Sequence, residues 1–187
     1  MNEDSPGLVL EGRWTGYYQY SSTTFAGMLR HQIHPVSLVV FRQSGNKFNG
    51  TMEDEITVQE YLFREVIELT GNQFDSETRK GMREFLRRFP KTKLIQILPK
   101  QSRIEGSIEE MKVVFIKSYV GIYQSYYDTG EETIPIADVD DHQVFYTGTL
   151  DTEGLSIEGT WAIPEKDSLG QVGQSEAGGT FKLWKEK

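Results

Sequence analysis

Four aromatic side chains fall in phase on segments in which apolar and polar residues alternate. They are Trp14, Tyr18, Tyr146 and Trp161. A period of two places alternate side chains on one face of a strand, so these rings are predicted to point toward a common interior. Flat amphipathic rings can line a pocket for an apolar or aromatic ligand. The same rings can also fill an ordinary core, and the sequence leaves both alternatives open.

Two groups of side chains have the chemistry of metal ligands. His31 and His34 lie close together but have no third ligand beside them, which favours a solvated pair in a loop. The segment from Tyr126 to His142 carries six acidic residues and no basic one, which predicts a long acidic loop. Its residues 138–141 offer oxygen ligands for calcium, and the sequence leaves open whether the loop binds it. No metal and no cofactor is predicted.

Charge is segregated along the chain. Residues 79–117 contain eleven Lys or Arg and four acids, whereas residues 118–165 contain ten acids and no Lys or Arg. The basic stretch begins on a predicted helix, where Arg83, Arg87 and Arg88 are candidates for binding an acidic protein partner. The alternatives to an acidic protein partner are anionic lipid, the chain's own acidic segment, and a solvated helix face that is paired internally.

The composition argues against several classes of protein. Without cysteine there is no disulfide, thiolate zinc site or cysteine nucleophile. A net charge of −8 disfavours binding to nucleic acid. No apolar run approaches the roughly 20 residues of a membrane-spanning helix, and the acidic start is unlike a signal peptide. We therefore expect a cytoplasmic protein with no nucleic-acid partner and no transmembrane segment. The familiar catalytic motifs are also missing from the sequence, which favours a non-enzymatic function.

Apolar and polar residues alternate along several segments of the chain, and glycine recurs at apolar positions of this alternation. The candidate aromatic residues lie on these segments. The alternation runs through Leu8, Leu10, Gly12, Trp14, Gly16, Tyr18 and Tyr20, and it recurs at 48–52, 104–108, 146–150, 157–161 and 179–183. Two further strands are predicted at 35–43 and 112–119, where β-branched and aromatic residues run together. Inward glycines relieve crowding on the concave face of a small barrel. The pattern predicts a mainly β fold, a closed antiparallel up-and-down barrel of about eight strands, with a two-sheet sandwich as the alternative.

Residues 55–92 do not follow this alternation of apolar and polar residues. Helical spacing is found first in Val58, Tyr61, Leu62, Val66 and Leu69, and then in Met82, Phe85, Leu86 and Phe89. Asp75 or Ser76 can cap the second helix. We predict an inserted helical pair that covers one mouth of the barrel, followed at 94–98 by a return strand or by part of the fourth barrel strand.

The run Gly12-Arg13-Trp14 on the first strand, together with the strand pattern, resembles the calycin superfamily of lipocalins, avidins and fatty-acid-binding proteins. In lipocalins a Gly-x-Trp at this place sets the indole as a plug across one end of the barrel, and Trp14 matches it. The resemblance implies one calycin-like domain over residues 1–187, with a helical insertion at 55–92, that binds a small apolar or aromatic ligand. The alternative is a protein-interaction module that uses the basic inserted helix.

The run from Gly12 to Tyr18 is also similar to the Gly-x-Trp-x-Gly-x-Gly of nitrobindin-type haem barrels. Tyr18 stands where the last glycine of that motif belongs. Those proteins hold iron through a histidine near the C-terminus, and no histidine follows His142. Haem is therefore not expected.

Overall fold

Twelve strands and two α-helices make up the described part of the chain. The computed structural model describes residues 8–21, 32–140, 142–163 and 177–187. The strands are β1 (Gly12–Tyr20), β2 (Ile33–Ser44), β3 (Lys47–Asp54), β4 (Val58–Leu62), β5 (Lys93–Ile97), β6 (Gln101–Glu109), β7 (Lys112–Tyr119), β8 (Tyr123–Asp128), β9 (Thr133–Val139), β10 (Gln143–Leu150), β11 (Ser156–Ile163) and β12 (Ala177–Lys185). The helices are α1 (Phe63–Thr70) and α2 (Ser76–Arg88), joined by a 3₁₀ turn at Gly71–Gln73.

Eight strands close into a barrel in the order β1-β12-β11-β10-β7-β6-β3-β2. Each lies antiparallel beside the barrel strands that precede and follow it in the chain, and β1 pairs with β12 to close the ring. The period of two is the physical reason, because alternate residues of a strand face the same side. Along β7, for example, every second residue from Val113 to Tyr119 is buried. The predicted mainly β, closed up-and-down barrel is confirmed, and the sandwich alternative is wrong.

Gly159 and Gly179 show why glycine lies on the inward face. A Cβ atom at Gly159 would lie 2.1 Å from the carbonyl oxygen of Thr147, and one at Gly179 would lie 1.8 Å from that of Gln19. Both obstacles are backbone atoms of the neighbouring strand, so neither can move aside without disturbing the pairing. The missing side chains let adjacent strands coil closely around a narrow interior.

The two ends of the barrel differ in their connections. At the end that we call the turn end, short turns at 45–46, 110–111 and 151–155 join the strands. Trp14 is fully buried near this end, and its indole nitrogen donates to the carbonyl oxygen of Leu10 at 2.8 Å. The indole thus lies at a barrel end, where the resemblance places it. At the opposite end, the insertion end, β3 ends at Asp54 and β7 ends at Tyr119.

A second sheet, in the order β4-β5-β8-β9, continues from the insertion end. It contacts the barrel through Gln59 of β4, whose side-chain amide lies 3.3 Å from the His34 ring nitrogen Nδ1 on β2. Leu98, which follows β5, belongs to the barrel core, and Tyr123 of β8 packs against that core. The second sheet is therefore joined to the barrel by both polar and apolar contacts.

The predicted helical pair is present, but it packs on the second sheet and not on the barrel core, which corrects the prediction that it covers one mouth of the barrel. Asp75 caps α2 as predicted, since its carboxylate accepts a hydrogen bond from the Thr78 amide at 2.7 Å. The apolar stripe of α2 lies on a small core that is separate from the barrel core and contains Phe63, Val66 and Leu94. Neither α1 nor α2, the helices of the described residues, has the length and apolar character to cross a bilayer.

The first part of the insertion is a strand, which corrects the prediction of a helix from Val58 onward. Residues 58–62 pair with β5, and the helix begins only at Phe63. Burial alternates along this strand, but the buried residue between Val58 and Glu60 is the polar Gln59. A pattern of apolar residues therefore does not indicate the strand. Residues 93–97 pair with both β4 and β8, so of the two predicted alternatives the return strand is correct.

The acidic segment 126–142 is largely a hairpin, which corrects the prediction of a long loop. β8 and β9 pair antiparallel, and the turn between them contains Gly130 at a φ of 84°. β9 is the edge strand of the second sheet and most of its residues are exposed. Charged residues and a proline suit an exposed edge because they discourage pairing with another chain. Acidic composition therefore did not distinguish a loop from a solvated edge strand.

Candidate ligand-binding site

An ion pair lies inside the barrel near the insertion end. Lys117 of β7 donates to the Oδ2 atom of Asp54 on β3 at 2.5 Å, and the two side chains are 0% and 1% exposed. Both residues occupy inward positions, in phase with the apolar residues of their strands. Removing two charges from water costs several kcal/mol for each ion. A buried pair is therefore weak evidence for stability and needs another explanation.

Burial also affects the acid–base behaviour of the lysine. Loss of solvent lowers the pKa of Lys117 from its ordinary value, and the neighbouring carboxylate of Asp54 opposes that shift. The carboxylate and the burial together raise the pKa values of Tyr119 and Tyr146 well above the ordinary range, with burial the larger cause. These two phenol groups consequently stay neutral across the physiological pH range.

Aromatic rings surround the ion pair. The ammonium nitrogen of Lys117 lies 4.4 Å from the ring centre of Tyr119 and 5.6 Å from that of Tyr18, distances at which a cation is attracted to a ring face. Tyr18 in turn stacks on His34, with ring centres 4.8 Å apart and planes 9° from parallel. Tyr18 also meets Trp161 edge to face. The charged pair therefore has walls of flat, largely apolar surface.

One oxygen of Asp54 is left without a donor. Oδ1 is buried and accepts no hydrogen bond from any residue in the described ranges. A buried acceptor that remains unsatisfied costs about 1–3 kcal/mol, and more when it is charged. Natural proteins satisfy the great majority of such atoms, so this oxygen is a place where a further donor is expected.

A chain of polar side chains connects this cluster to the second sheet. The Tyr61 hydroxyl donates to the Gln59 side-chain oxygen at 2.8 Å, which orients the amide so that its nitrogen faces Nδ1 of His34. With Nδ1 as the acceptor, a neutral imidazole carries its proton on Nε2. His34 is 1% exposed on β2, so the prediction that it belongs to a solvated loop pair is wrong. His31 lies outside the described residues.

The four aromatic residues that were predicted to bind a ligand lie at three different places in the barrel. Tyr18 and Trp161 contact each other at the insertion end, with ring centres 5.6 Å apart. Tyr146 stacks on Phe115 at 4.6 Å. Trp14 is four residues from Tyr18 along β1, roughly 13 Å away at the rise of a strand. All four are buried in the barrel, but of the four only Tyr18 and Trp161 make ring contacts within the aromatic group around the ion pair.

Sequence reasoning missed the polar members of this cluster. Asp54 follows Phe48, Gly50 and Met52 in the inward phase of β3, and Lys117 occupies the inward phase of β7. A charged residue in phase with the apolar face of a strand was the signal that could have revealed both. Apolar and aromatic residue types alone do not indicate these two inward positions.

The basic residues predicted to bind a partner lie on α2 and point to solvent. Arg83, Arg87 and Arg88 are exposed, and none takes part in the ion pairs found among the described residues. The guanidinium carbon of Arg88 lies 5.1 Å from the ring centre of Phe89. None of these arginines is thus neutralised by an acidic side chain of the described residues.

Metal ligands do not cluster in the ranges that the structure describes, where no group of three or more His, Asp or Glu side chains could hold an ion. Of the candidate calcium run 138–141, residue 141 lies outside those ranges.

The chain was compared with protein-family models, with curated proteins and with solved structures, and no match was found in any of the three. The barrel geometry and the buried cluster are therefore the basis for assigning a function.

Proposed function

We propose that this protein is a calycin-like binding protein that holds a small molecule with an aromatic or apolar body inside the insertion end of its barrel. The observation that carries the proposal is the buried Asp54 oxygen, which accepts no hydrogen bond from the described residues, in a setting walled by Tyr18 and Trp161. A closed eight-stranded barrel has room for either a filled core or one small ligand. An unmet acceptor inside it favours the ligand.

The energetics support a binding role for the ion pair. Replacing a buried pair by apolar residues of similar size is often neutral or stabilising, so the fold itself does not require Lys117 and Asp54. Ligand sites, in contrast, combine apolar walls with a few polar groups that fix orientation. The cluster has both parts, because the rings of Tyr18, Tyr20 and Trp161 contact one another next to the charged pair.

Tryptophan fluorescence provides the test, because the three tryptophans lie in different places. Trp161 lies in the cluster, Trp14 lies near the turn end, and Trp184 is 39% exposed on β12. Protein purified without denaturant is first examined by native mass spectrometry for a bound small molecule. A panel of fatty acids and aromatic compounds is then titrated while tryptophan emission is recorded.

We expect a co-purified molecule or a saturable change in emission that disappears in Trp161→Phe and persists in Trp184→Phe, the matched control. A response that survives in Trp161→Phe would place the ligand elsewhere. If no molecule co-purifies and no compound of the panel binds, the proposal fails.

A second candidate function is binding of an acidic protein through α2. It is favoured by the exposed arginines at 83, 87 and 88, which have no acidic partner among the described residues. Exposed charges steer association and are screened by salt. A captured partner should be released by salt and lost when the three arginines are reversed to glutamate. Reversal of the exposed Lys47, Arg103 and Lys112 on the barrel changes the net charge equally, and this control should retain the partner.

A further inference from the structure

We infer that the ligand presents a neutral hydrogen-bond donor, a hydroxyl or an uncharged N–H, to the Oδ1 atom of Asp54. This inference rests on the proposed function and names the chemical class of the molecule. Aromatic alcohols, phenols and amides belong to that class, whereas fatty acids, alkylamines, which are protonated at pH 7, and donor-free hydrocarbons do not.

The requirement for a donor follows from the hydrogen bonds of Asp54. An ionised carboxylate only accepts, and its Oδ2 atom is already occupied by Lys117. Oδ1 is buried and has no donor in the described ranges. A donor on the ligand would make a charge-assisted hydrogen bond there, the stronger kind. A ligand without a donor would leave the oxygen buried and unsatisfied.

The requirement for neutrality follows from the two charges of the ion pair. A ligand carboxylate beside Oδ1 would face the negative charge of Asp54, and Lys117 is already engaged with that carboxylate. A ligand ammonium would approach Oδ1 favourably, but it would lie close to the positive charge of Lys117. Like charges repel each other strongly where solvent is excluded. For either charged group, this repulsion would offset much of the attraction to the opposite charge of the pair.

The preference for a flat ring follows from the surrounding side chains. Tyr18 and His34 stack almost in parallel, and Tyr20 meets Trp161 at 84° with ring centres 4.7 Å apart. Aromatic rings gain from offset or edge-to-face contact with another ring, so a ligand beside these side chains is expected to be aromatic. A fused aromatic body with one donor at its edge is therefore the probe that tests this inference.

The test uses four naphthalene derivatives that share one body: 2-naphthol, 2-methoxynaphthalene, 2-naphthoate and 2-naphthylmethylammonium. Affinities are measured by isothermal titration calorimetry at pH 7. We expect 2-naphthol to bind about tenfold to a hundredfold more tightly than the methoxy compound, which lacks the donor. The two charged compounds should bind more weakly than 2-naphthol.

The double variant Asp54→Leu/Lys117→Met removes both charges together, which leaves no unpaired ion inside the barrel. In it the preference for 2-naphthol over the methoxy compound should fall to within about threefold. Should this variant fail to fold, the wild-type series still decides the question. Equal or tighter binding of 2-naphthoate or of the methoxy compound overturns the inference and leaves the proposed function standing. Absence of binding by all four and by the fatty acids and aromatic compounds of the panel, with no co-purified molecule, overturns the proposed function itself.

Discussion

Lys117 and Asp54 form an ion pair at 2.5 Å across the inside of the barrel, although they are 63 residues apart in the sequence and lie on strands that are not neighbours. β6 stands between β7 and β3 in the ring. The pair therefore connects strands that no backbone hydrogen bond joins, and it does so where neither charge reaches solvent.

Breaking this pair is predicted to be costly. Lys117→Met leaves the carboxylate of Asp54 buried without a counter-ion, which should lower the free energy of unfolding by about 3–5 kcal/mol. Asp54→Leu/Lys117→Met should recover most of this loss or exceed the wild-type stability, since no lone charge remains. Urea unfolding measures both. The control is Lys182→Met, which removes a partly exposed surface pair with Glu158 and should cost less than about 1 kcal/mol.

A mild loss in Lys117→Met, similar to that of the control, would mean that the carboxylate of Asp54 is solvated in the folded barrel. The ion pair would then no longer support a binding site at this place.

Alkaline pH is predicted to destabilise the barrel through Tyr119 and Tyr146. Burial, reinforced by the charge of Asp54, raises the pKa of both hydroxyls well above the ordinary 10.0. The unfolded chain releases these two protons once the pH exceeds about 10, whereas the folded chain keeps them. Stability is therefore fully present below that pH and falls as the pH rises. Each tyrosine should contribute a slope of about 1.4 kcal/mol per pH unit.

At lower pH, the titration of Lys117 changes the stability in the opposite direction. The pH range of the measurement must therefore exclude that titration. Burial lowers its pKa from 10.5, and stability rises with pH until the unfolded lysine has also lost its proton. Urea unfolding should therefore be measured above pH 10.5. Tyr146→Phe keeps the ring on Phe115 and should make the decline shallower by one tyrosine's slope. Parallel slopes in the two proteins would contradict the prediction.

Two glycine-to-alanine changes should have opposite effects. Gly159→Ala places a Cβ 2.1 Å from a backbone oxygen, and this overpacking should cost about 1–3 kcal/mol or more. Gly81→Ala lies in α2, where a Cβ meets no atom within 4 Å apart from its chain neighbours and the backbone of its own helix, and it should stabilise the protein by about 0.5–1 kcal/mol. Thermal melts followed by circular dichroism compare them. A neutral Gly159→Ala would show that the barrel is less tightly coiled than the close approach of its strands implies.

Much of the barrel could be predicted from the sequence because its signal is local and repeated. Each of the eight strands carries a period of two or a run of β-branched residues, and short turns such as 45–46 fix antiparallel neighbours. The cap of α2 at Asp75 was predictable for the same reason, since the residue and its Thr78 partner are three positions apart.

The rest could not be predicted because it depends on partners that are distant in the sequence. Gln59 is buried because it reaches His34. Since this buried residue of β4 is polar, the strand lacks the apolar alternation that would predict it. Lys117 is tolerated inside the barrel because Asp54 is there, and only the closed ring brings them together. Hydrophobic patterns report which face is apolar, but they do not report which polar residues share that face.

The insertion itself supplies the last prediction, which concerns whether its helices are needed for folding. The Phe63 amide donates to the Thr92 carbonyl at 2.9 Å, so these two residues already form the pair that a tight turn could close. Replacing residues 64–91 by Asn-Gly, the preferred sequence for a two-residue hairpin turn, removes α1 beyond its first residue and all of α2. β4 and β5 remain paired, and so does Gln59 with His34.

The shortened protein should keep its barrel and melt cooperatively, because the apolar residues of α2 pack on a cluster of Phe63, Val66 and Leu94 that is separate from the barrel core. Its solubility should fall, since Leu94 and Tyr127 lose the cover of α2 and an apolar patch is exposed. Circular dichroism and a thermal melt measure the first effect, and concentration-dependent light scattering measures the second. The matched control is Phe85→Ser in the full chain, which weakens the helix contact without deletion. Loss of both the β-sheet signal and the cooperative melt in the shortened protein would mean that the barrel folds only together with the helices, so that the second sheet and its cover belong to the same cooperative core.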